Sequence, residues 1–242
     1  MTGKKTDHPC GRCAFYAGSI WKPVPSESVS FLKQGFSRKT LPSSQALFRQ
    51  GDENRGIFCV SKGLIAIRAL SADGASTLIR IAYPGDVIGY RSFLANRPHE
   101  TEALALLPSR VCTVALRHAD QVVQKNPMVL KSIASRCISE IDRNHERIIA
   151  TATKSNKQRL ADLLYRLMTE HGKSDGDWIS MRLPLSRIDL ADLIGVQPET
   201  LSRLIRRLQC DGSFQFSGRS VHVPATAFSV SPALLPLPPL SA

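Results

Sequence analysis

The 242-residue sequence has no apolar run long enough to cross a bilayer. Its first residues, MTGKKTDHPC, lack the apolar core of a secretory signal. There is no glycine-rich phosphate loop, no Ser-His-acid constellation and no paired-carboxylate motif, so the chain does not read as an enzyme. Acid is also scarce: 20 Asp and Glu stand against 32 Lys and Arg, leaving a net charge of +12. That balance calls for a polyanionic partner, although composition alone does not separate nucleic acid from an anionic membrane. These absences predict a cytoplasmic protein without membrane association. Its six cysteines should then be reduced unless they hold a metal or sense oxidation. A hydrophobic fraction of 43% is enough for the cores of two modest domains.

The most informative stretch is Ser186 to Leu208, SRIDLADLIGVQPETLSRLIRRL. Leu190, Leu193 and Ile194 recur at helical spacing, and Gly195 stops that helix. Pro198 suits the first turn of a second helix, because its missing N–H would be unpaired there anyway. Leu201, Leu204, Ile205 and Leu208 line one face of this second helix. Glu199, Thr200, Ser202, Arg203, Arg206 and Arg207 fall largely on the other. Small Ala191 lies where the two helices must approach closely. The pattern is that of a DNA-binding helix-turn-helix; the plainer alternative is a helical hairpin with a solvated charged face.

Chemistry supports the first reading. Arginine donates two bonds to guanine O6 and N7, while glutamate accepts from an exocyclic amine such as that of cytosine. Glu199, Ser202 and Arg203 are spaced i, i+3, i+4 and so enter one groove together. Glutamate is a poor choice for a surface that meets only phosphates, so its presence argues for base readout. Thr200, Arg206 and Arg207 are assigned to phosphates or solvent.

The rest of the chain divides around this unit. Residues 1–26 form an arm with Cys10-Gly-Arg-Cys13. Residues 27–125 read as a β domain, with short strands at Leu47–Phe48, Ile57–Val60, Leu64–Leu70, Thr77–Tyr83 and Arg110–Leu116. Turns at Gly51-Asp52, Asp73-Gly74 and Pro84-Gly85-Asp86 separate them, and no helical crossovers intervene, which points to a jelly roll. Residues 126–153 form one long helix, capped by Asn126. Its seam of Leu130, Ile133, Cys137, Ile141 and Ile148, interrupted by Asn144, predicts a two-stranded homodimer interface, or else packing on its own β domain. Residues 154–225 form the helix-turn-helix domain, completed by a two-stranded wing with Arg219 at its tip. A Pro/Leu-rich tail occupies 226–242. The fold class is α+β.

This order, from about residue 38 to 223, resembles the Crp/Fnr superfamily of bacterial transcription regulators. The most specific stretches are Leu47-Phe48-Arg49-Gln50-Gly51-Asp52, Tyr83 to Tyr90, and Val196 to Arg203. Glu199, Ser202 and Arg203 match the Glu-x-x-Ser-Arg pattern of the Fnr branch, whereas Pro198 replaces the arginine of the Crp branch. The resemblance implies a TTGAT-like palindrome read by a dimer, with RNA polymerase as a further partner. It also places Glu100 and Glu102 where cyclic-nucleotide-binding members grip a phosphate, which argues against a cyclic nucleotide.

Fnr proteins bind an oxygen-labile [4Fe–4S] cluster through three N-terminal cysteines and a distant one in the β-roll. The resemblance puts Cys10, Cys13 and Cys112 at three of these positions and Ser19 at the fourth. An iron–sulfur cluster would then need Ser19, Asp7, His8 or an external thiol as its last ligand. Zinc, a Cys10–Cys13 dithiol switch and a metal-free remnant remain alternatives. Cys59, Cys137 and Cys210 read as small buried apolar residues. Two function classes follow: a sequence-specific regulator with a redox-sensitive centre, and a sensor of metal, thiol, haem or small ligand acting mainly through a protein partner.

Overall fold

The computed structural model describes residues 8–230, and contacts divide the chain into two units after Asp142. The first unit is built on antiparallel strands. Short α1 (Val29–Gly35) leads into β1 (Phe36–Leu41), β2 (Ala46–Phe48), β3 (Gly56–Lys62), β4 (Ile65–Leu70), β5 (Ser76–Ala82) and β6 (Val87–Ile88). Then come α2 (Tyr90–Ala95), β7 (Glu102–Ala105), β8 (Ser109–Ala115), α3 (Leu116–Lys125) and α4 (Pro127–Thr153). One sheet has the order β1-β8-β3-β6 and the other β2-β7-β4-β5. The turns between strands follow their residues. Asp52 accepts the Arg49 amide at 2.8 Å, and Asp86 the Tyr83 amide at 3.0 Å, so each aspartate closes its own Gly-Asp turn.

The near-continuous apolar run of β3 is explained by burial on both faces. Phe58 and Val60 point between the sheets, into a core with Phe48, Ile65, Ile88 and Val111. Ile57 and Cys59 point the other way, into a second core shared with Val114 of β8, the arm, α1, α3 and α4. Three short helices escape the sequence reading. In α3 only Ala119 and Val122 are buried, so its apolar stripe is too small to register. Asn126 does not cap α4; its side-chain amide donates to the Val122 carbonyl at 2.8 Å and closes α3 instead.

The seam predicted on α4 divides between two faces. Ile133 is 0% exposed and packs in its own unit beside Val129, Ile20 and Trp21, so it is not an interface residue. Cys137 is half-buried against the same core. Leu130, Ile141 and Ile148 are 44%, 51% and 68% exposed, and they are joined by Ile138 at 59%. The physical reason is helical drift: a face that must meet the roll at Val129 and Ile133 leaves the stripe through Ile138, Ile141 and Ile148 on the other side. Asn144 is exposed but sits at the flank of that stripe, while His145 keeps its 3-4 spacing.

The second unit comprises α5 (Asn156–His171), β9 (Lys173–Asp175), β10 (Trp178–Arg182), α6 (Arg187–Ile194), α7 (Pro198–Cys210), β11 (Gln215–Ser217), β12 (Ser220–Pro224) and α8 (Ala227–Val230). Its four strands form a sheet of order β11-β12-β10-β9, so the wing hairpin is part of a larger sheet than expected. Leu160, Leu164 and Leu167 of α5 are fully buried, as are Leu201 of α7, Phe214, Val221 and Val223. In α8, Phe228 sets its ring edge-on to Tyr165 at 5.4 Å, placing the start of the Pro/Leu-rich tail against α5. The remainder of that tail lies outside the described residues.

Candidate nucleic-acid interface and thiol cluster

Helix α6 begins with a reciprocal cap. Ser186 Oγ accepts the Asp189 amide at 3.1 Å, and Asp189 accepts the Ser186 amide at 2.8 Å. It ends where Gly195 takes φ +66°, a left-handed turn that lets Val196 N–H reach the Ala191 carbonyl at 3.0 Å. Ala191 is buried at this junction. Arg147 holds the end of α6 as well, donating to the Leu193 carbonyl at 3.4 Å. Pro198 opens α7 at its first turn.

Leu201, Leu204, Ile205 and Leu208 of α7 are buried, which fixes what the helix leaves outside. Glu199, Arg203, Arg206 and Arg207 are exposed, while Thr200 and Ser202 are half-buried. Ser202 donates its hydroxyl proton to the Pro198 carbonyl at 3.2 Å, so its oxygen is left to accept. Arg219 is exposed in the β11–β12 turn beside Gly218. Cys210, read from sequence as buried, is exposed because it lies past the last apolar turn of α7.

The second concentration of chemistry lies under the arm. His8 Nε2–H donates to the Trp21 carbonyl at 3.0 Å, and its Nδ1 accepts the Cys10 amide at 3.1 Å. Cys13 N–H then closes a turn on the Cys10 carbonyl at 2.8 Å. Both His8 nitrogens are thus used in shaping the loop, and His8 is not free as a metal ligand. Ser19 Oγ accepts the Trp21 amide at 3.2 Å and also touches the Cys10 thiol. Asp7 lies outside the described residues.

This loop sits over the sheet face where Cys59 of β3 pairs directly with Cys112 of β8. Arg38 of β1 is opposite Cys112 on the other side, hydrogen-bonds its thiol and faces Cys10 and Cys13 electrostatically. Burial, and then the neighbouring Cys112 and Cys13, push the Cys10 thiol up to about 11. Burial, followed by Cys10 and Cys112, pushes Cys59 up to about 12. Cys10, Cys13 and Cys112 therefore lie within electrostatic reach of one another. Cys59, read from sequence as a core residue, joins them. No spacing rule could have found it; only the strand register does. Among the described residues, no three His, Cys, Asp or Glu side chains are arranged to hold a single metal ion.

Residues 38–126 match the cyclic nucleotide-binding domain family, and residues 158–226 match the Crp-like helix-turn-helix domain family. The chain belongs to the Crp/Fnr superfamily. It is a DNA-binding transcription regulator of that type. Among curated relatives, the anaerobic regulatory protein of Pasteurella multocida is 27% identical over 186 residues, spanning 77% of this chain and 68% of the relative. The fumarate and nitrate reduction regulatory protein of Vibrio cholerae is also 27% identical, over 77% of this chain and 74% of its own. Among solved structures, the c-di-GMP responsive global regulator CLP of Xanthomonas campestris superposes with a TM-score of 0.69 at 19% identity. The match covers 83% of this chain and 100% of that one. FixK2 of Bradyrhizobium japonicum gives 0.65 at 21% identity, covering 80% of this chain and 94% of its own. These structural likenesses concern the fold.

Within this Crp/Fnr regulator the roll carries its own polar network. Glu100 pairs with Arg97 at 3.1 Å and Arg91 at 3.5 Å. Tyr90 is buried and donates its hydroxyl to Glu140 of α4, which also meets Arg80 at 3.3 Å. No helix among the described residues is long and apolar enough to cross a membrane.

Proposed function

We propose that two copies of this regulator pair through α4, read a TTGAT-like palindrome through α7, and respond to oxygen or redox state through a thiol centre containing Cys10, Cys13 and Cys112. The observation that carries the sensing half is the double attachment of the arm. Cys10 and Cys13 lie over Cys112, while Ile20 and Trp21 of the same arm pack on Val129 and Ile133 of α4. A change in the thiols therefore acts on the segment that supports the dimer helix. The names of the curated relatives, anaerobic and fumarate–nitrate regulators, favour the same class of signal.

The fit of an iron–sulfur group to this site rests on donor chemistry. Three thiols and two guanidiniums, Arg38 and Arg136, surround the position, and thiolates are the usual protein ligands of such clusters. When bound, the group supplies oxygen lability; the residues supply thiolates and the tie to α4. Arg91 and Arg97, the cations nearest Glu100, are both committed to that carboxylate, which disfavours a cyclic phosphate there. Glu199, Ser202 and Arg203 read bases, with Arg206, Arg207, Thr200 and Arg219 on phosphates. Output runs through RNA polymerase.

Protein prepared without air should be brown, bleach on exposure, and footprint a two-fold site whose half-sites lie about one helical turn apart. Footprints that ignore base sequence would refute the DNA reading. Colourless anaerobic protein free of iron would refute the centre. In vitro transcription with purified polymerase tests the output.

A further inference from the structure

The sequence leaves the thiol centre one ligand short, and each residue it offered as a substitute is either used elsewhere or outside the described residues. His8 spends both ring nitrogens on the arm backbone. Ser19 holds the Trp21 amide, and an aliphatic hydroxyl gives up its proton far less readily than a thiol. The strands supply what the arm lacks. Cys59 and Cys112 are directly opposed across β3 and β8, so their side chains leave the sheet on the same face, the one the arm covers. Cys10 is within electrostatic reach of both. We propose that Cys59 is the fourth thiolate of the arm centre, completing Cys10, Cys13 and Cys112 into a tetrathiolate site for an iron–sulfur cluster.

Two independent features point to an anionic group at this place. Trp21 is 1% exposed, and its indole N–H is aimed at the Cys59 sulfur. That donor therefore sits where a thiolate or sulfide would accept. A hydrogen bond to a charged acceptor is stronger than one to a neutral acceptor, so this donor favours the thiolate form of Cys59. The second feature is charge. Arg38 and Arg136 approach the cysteines from different elements, β1 and α4, and offset a centre whose four thiolates outweigh the positive charge of its core.

The arrangement also selects among metal centres. A single zinc ion needs all four sulfurs about 2.3 Å from one point. No three of these side chains are arranged to meet that demand. A four-iron cluster takes one thiolate at each iron, so its ligands surround a volume instead of converging on a point. Two ligands from the arm loop and two from neighbouring strands beneath it suit that requirement.

The proposal rests on the thiol-centre reading above, and its test separates the two. The wild-type chain, Cys59→Ala, and Cys59→Ser combined with Ser19→Cys would be reconstituted without air using ferrous iron and sulfide. Bound iron, acid-labile sulfide, visible absorption and far-ultraviolet circular dichroism would then be measured. The expected result is cluster on the wild type, its loss from a natively folded Cys59→Ala, and its return when position 19 supplies the missing thiol. Equal iron and sulfide on the wild type and on Cys59→Ala would overturn the role of Cys59 while leaving the three-cysteine centre standing. A wild type that takes up no metal would overturn both readings. Stoichiometric zinc without sulfide would overturn the cluster. Should Cys59→Ala fail to fold, the combined variant decides: regained iron supports the proposal and its absence overturns it.

Discussion

Helices α4 and α7 both bury one apolar face, but they leave opposite materials in water. Outside α7 are Glu199, Arg203, Arg206 and Arg207; outside α4 are Ile138, Ile141, Ile148 and Ile149. A polar, mostly basic face is stable in solvent and needs a partner only for function. A row of isoleucines exposed by half or more of their surface is a standing cost, and covering the exposed part of each would return about 1–2 kcal/mol. The first face is therefore suited to reversible, salt-sensitive contact with a polyanion. The second is suited to lasting contact with another apolar surface. Its spacing through Ala134, Ile138, Ile141, His145, Ile148 and Ala152 alternates in fours and threes, the pattern that two parallel copies of one helix satisfy together. The proposed division, DNA on one helix and a second copy of the chain on the other, rests on this difference.

The strongest way to break this division is to put charge on the α4 stripe. Ile141→Glu with Ile148→Glu should leave the monomer folded, because both side chains are already exposed, and should abolish dimerisation in sedimentation equilibrium. DNA affinity should fall with it, since a single half-site is left. A dimer of undiminished strength would show that the stripe meets something else. Ile133→Ala provides the contrast from the same helix. Its cost should appear in folding, about 2–5 kcal/mol in thermal or urea unfolding, because the truncated side chain is in the unit's own core. Selective loss of association without loss of stability would place Ile133 back in the interface.

On α7 the effects are smaller and of a different kind. Arg203→Ala should lose about 1–3 kcal/mol of discrimination at one guanine. Arg206→Ala should instead weaken all sequences alike and reduce the salt slope of binding by about one. Competition binding against single-base variants of the site, repeated over a salt series, separates the two. Dimerisation measured over the same series should change little, because apolar burial is not screened. If Arg203→Ala and Arg206→Ala behaved alike, α7 would be a phosphate-binding helix only.

How much of this was readable in advance depends on where the information lies. The α6–turn–α7 unit was legible residue by residue, because caps, Gly195, Pro198 and the apolar stripe are all local and all agree. The strands were legible where Val and Ile cluster, but β6 and β7 are two and four residues long and carry little signal. The α4 seam mixed two faces: periodicity reveals that two apolar stripes exist on a helix but not which of them the roll takes. The thiol site was legible through Cys10 and Cys13, which are close in sequence. Cys59 was lost because its partner, Cys112, is brought opposite it only by strand register.

The finest test of the comparison lies in two adjacent residues, His145 and Asn144. The sequence pattern placed Asn144 in the seam, where a polar residue would set register and weaken the dimer. In the structure the exposed stripe runs through Ile138, Ile141 and Ile148, and the position that keeps their spacing is 145. One residue is about 100° around a helix, enough to move a side chain from the seam to its flank. His145→Leu should therefore tighten the dimer by about 1 kcal/mol or more, since it replaces a polar ring with apolar surface that both copies bury. Asn144→Leu should change association little. Sedimentation equilibrium of the two variants beside the wild type decides between them. The reverse result, tightening by Asn144→Leu alone, would mean that α4 meets its partner through a rotated face, and the stripe of isoleucines would have to be explained by another contact.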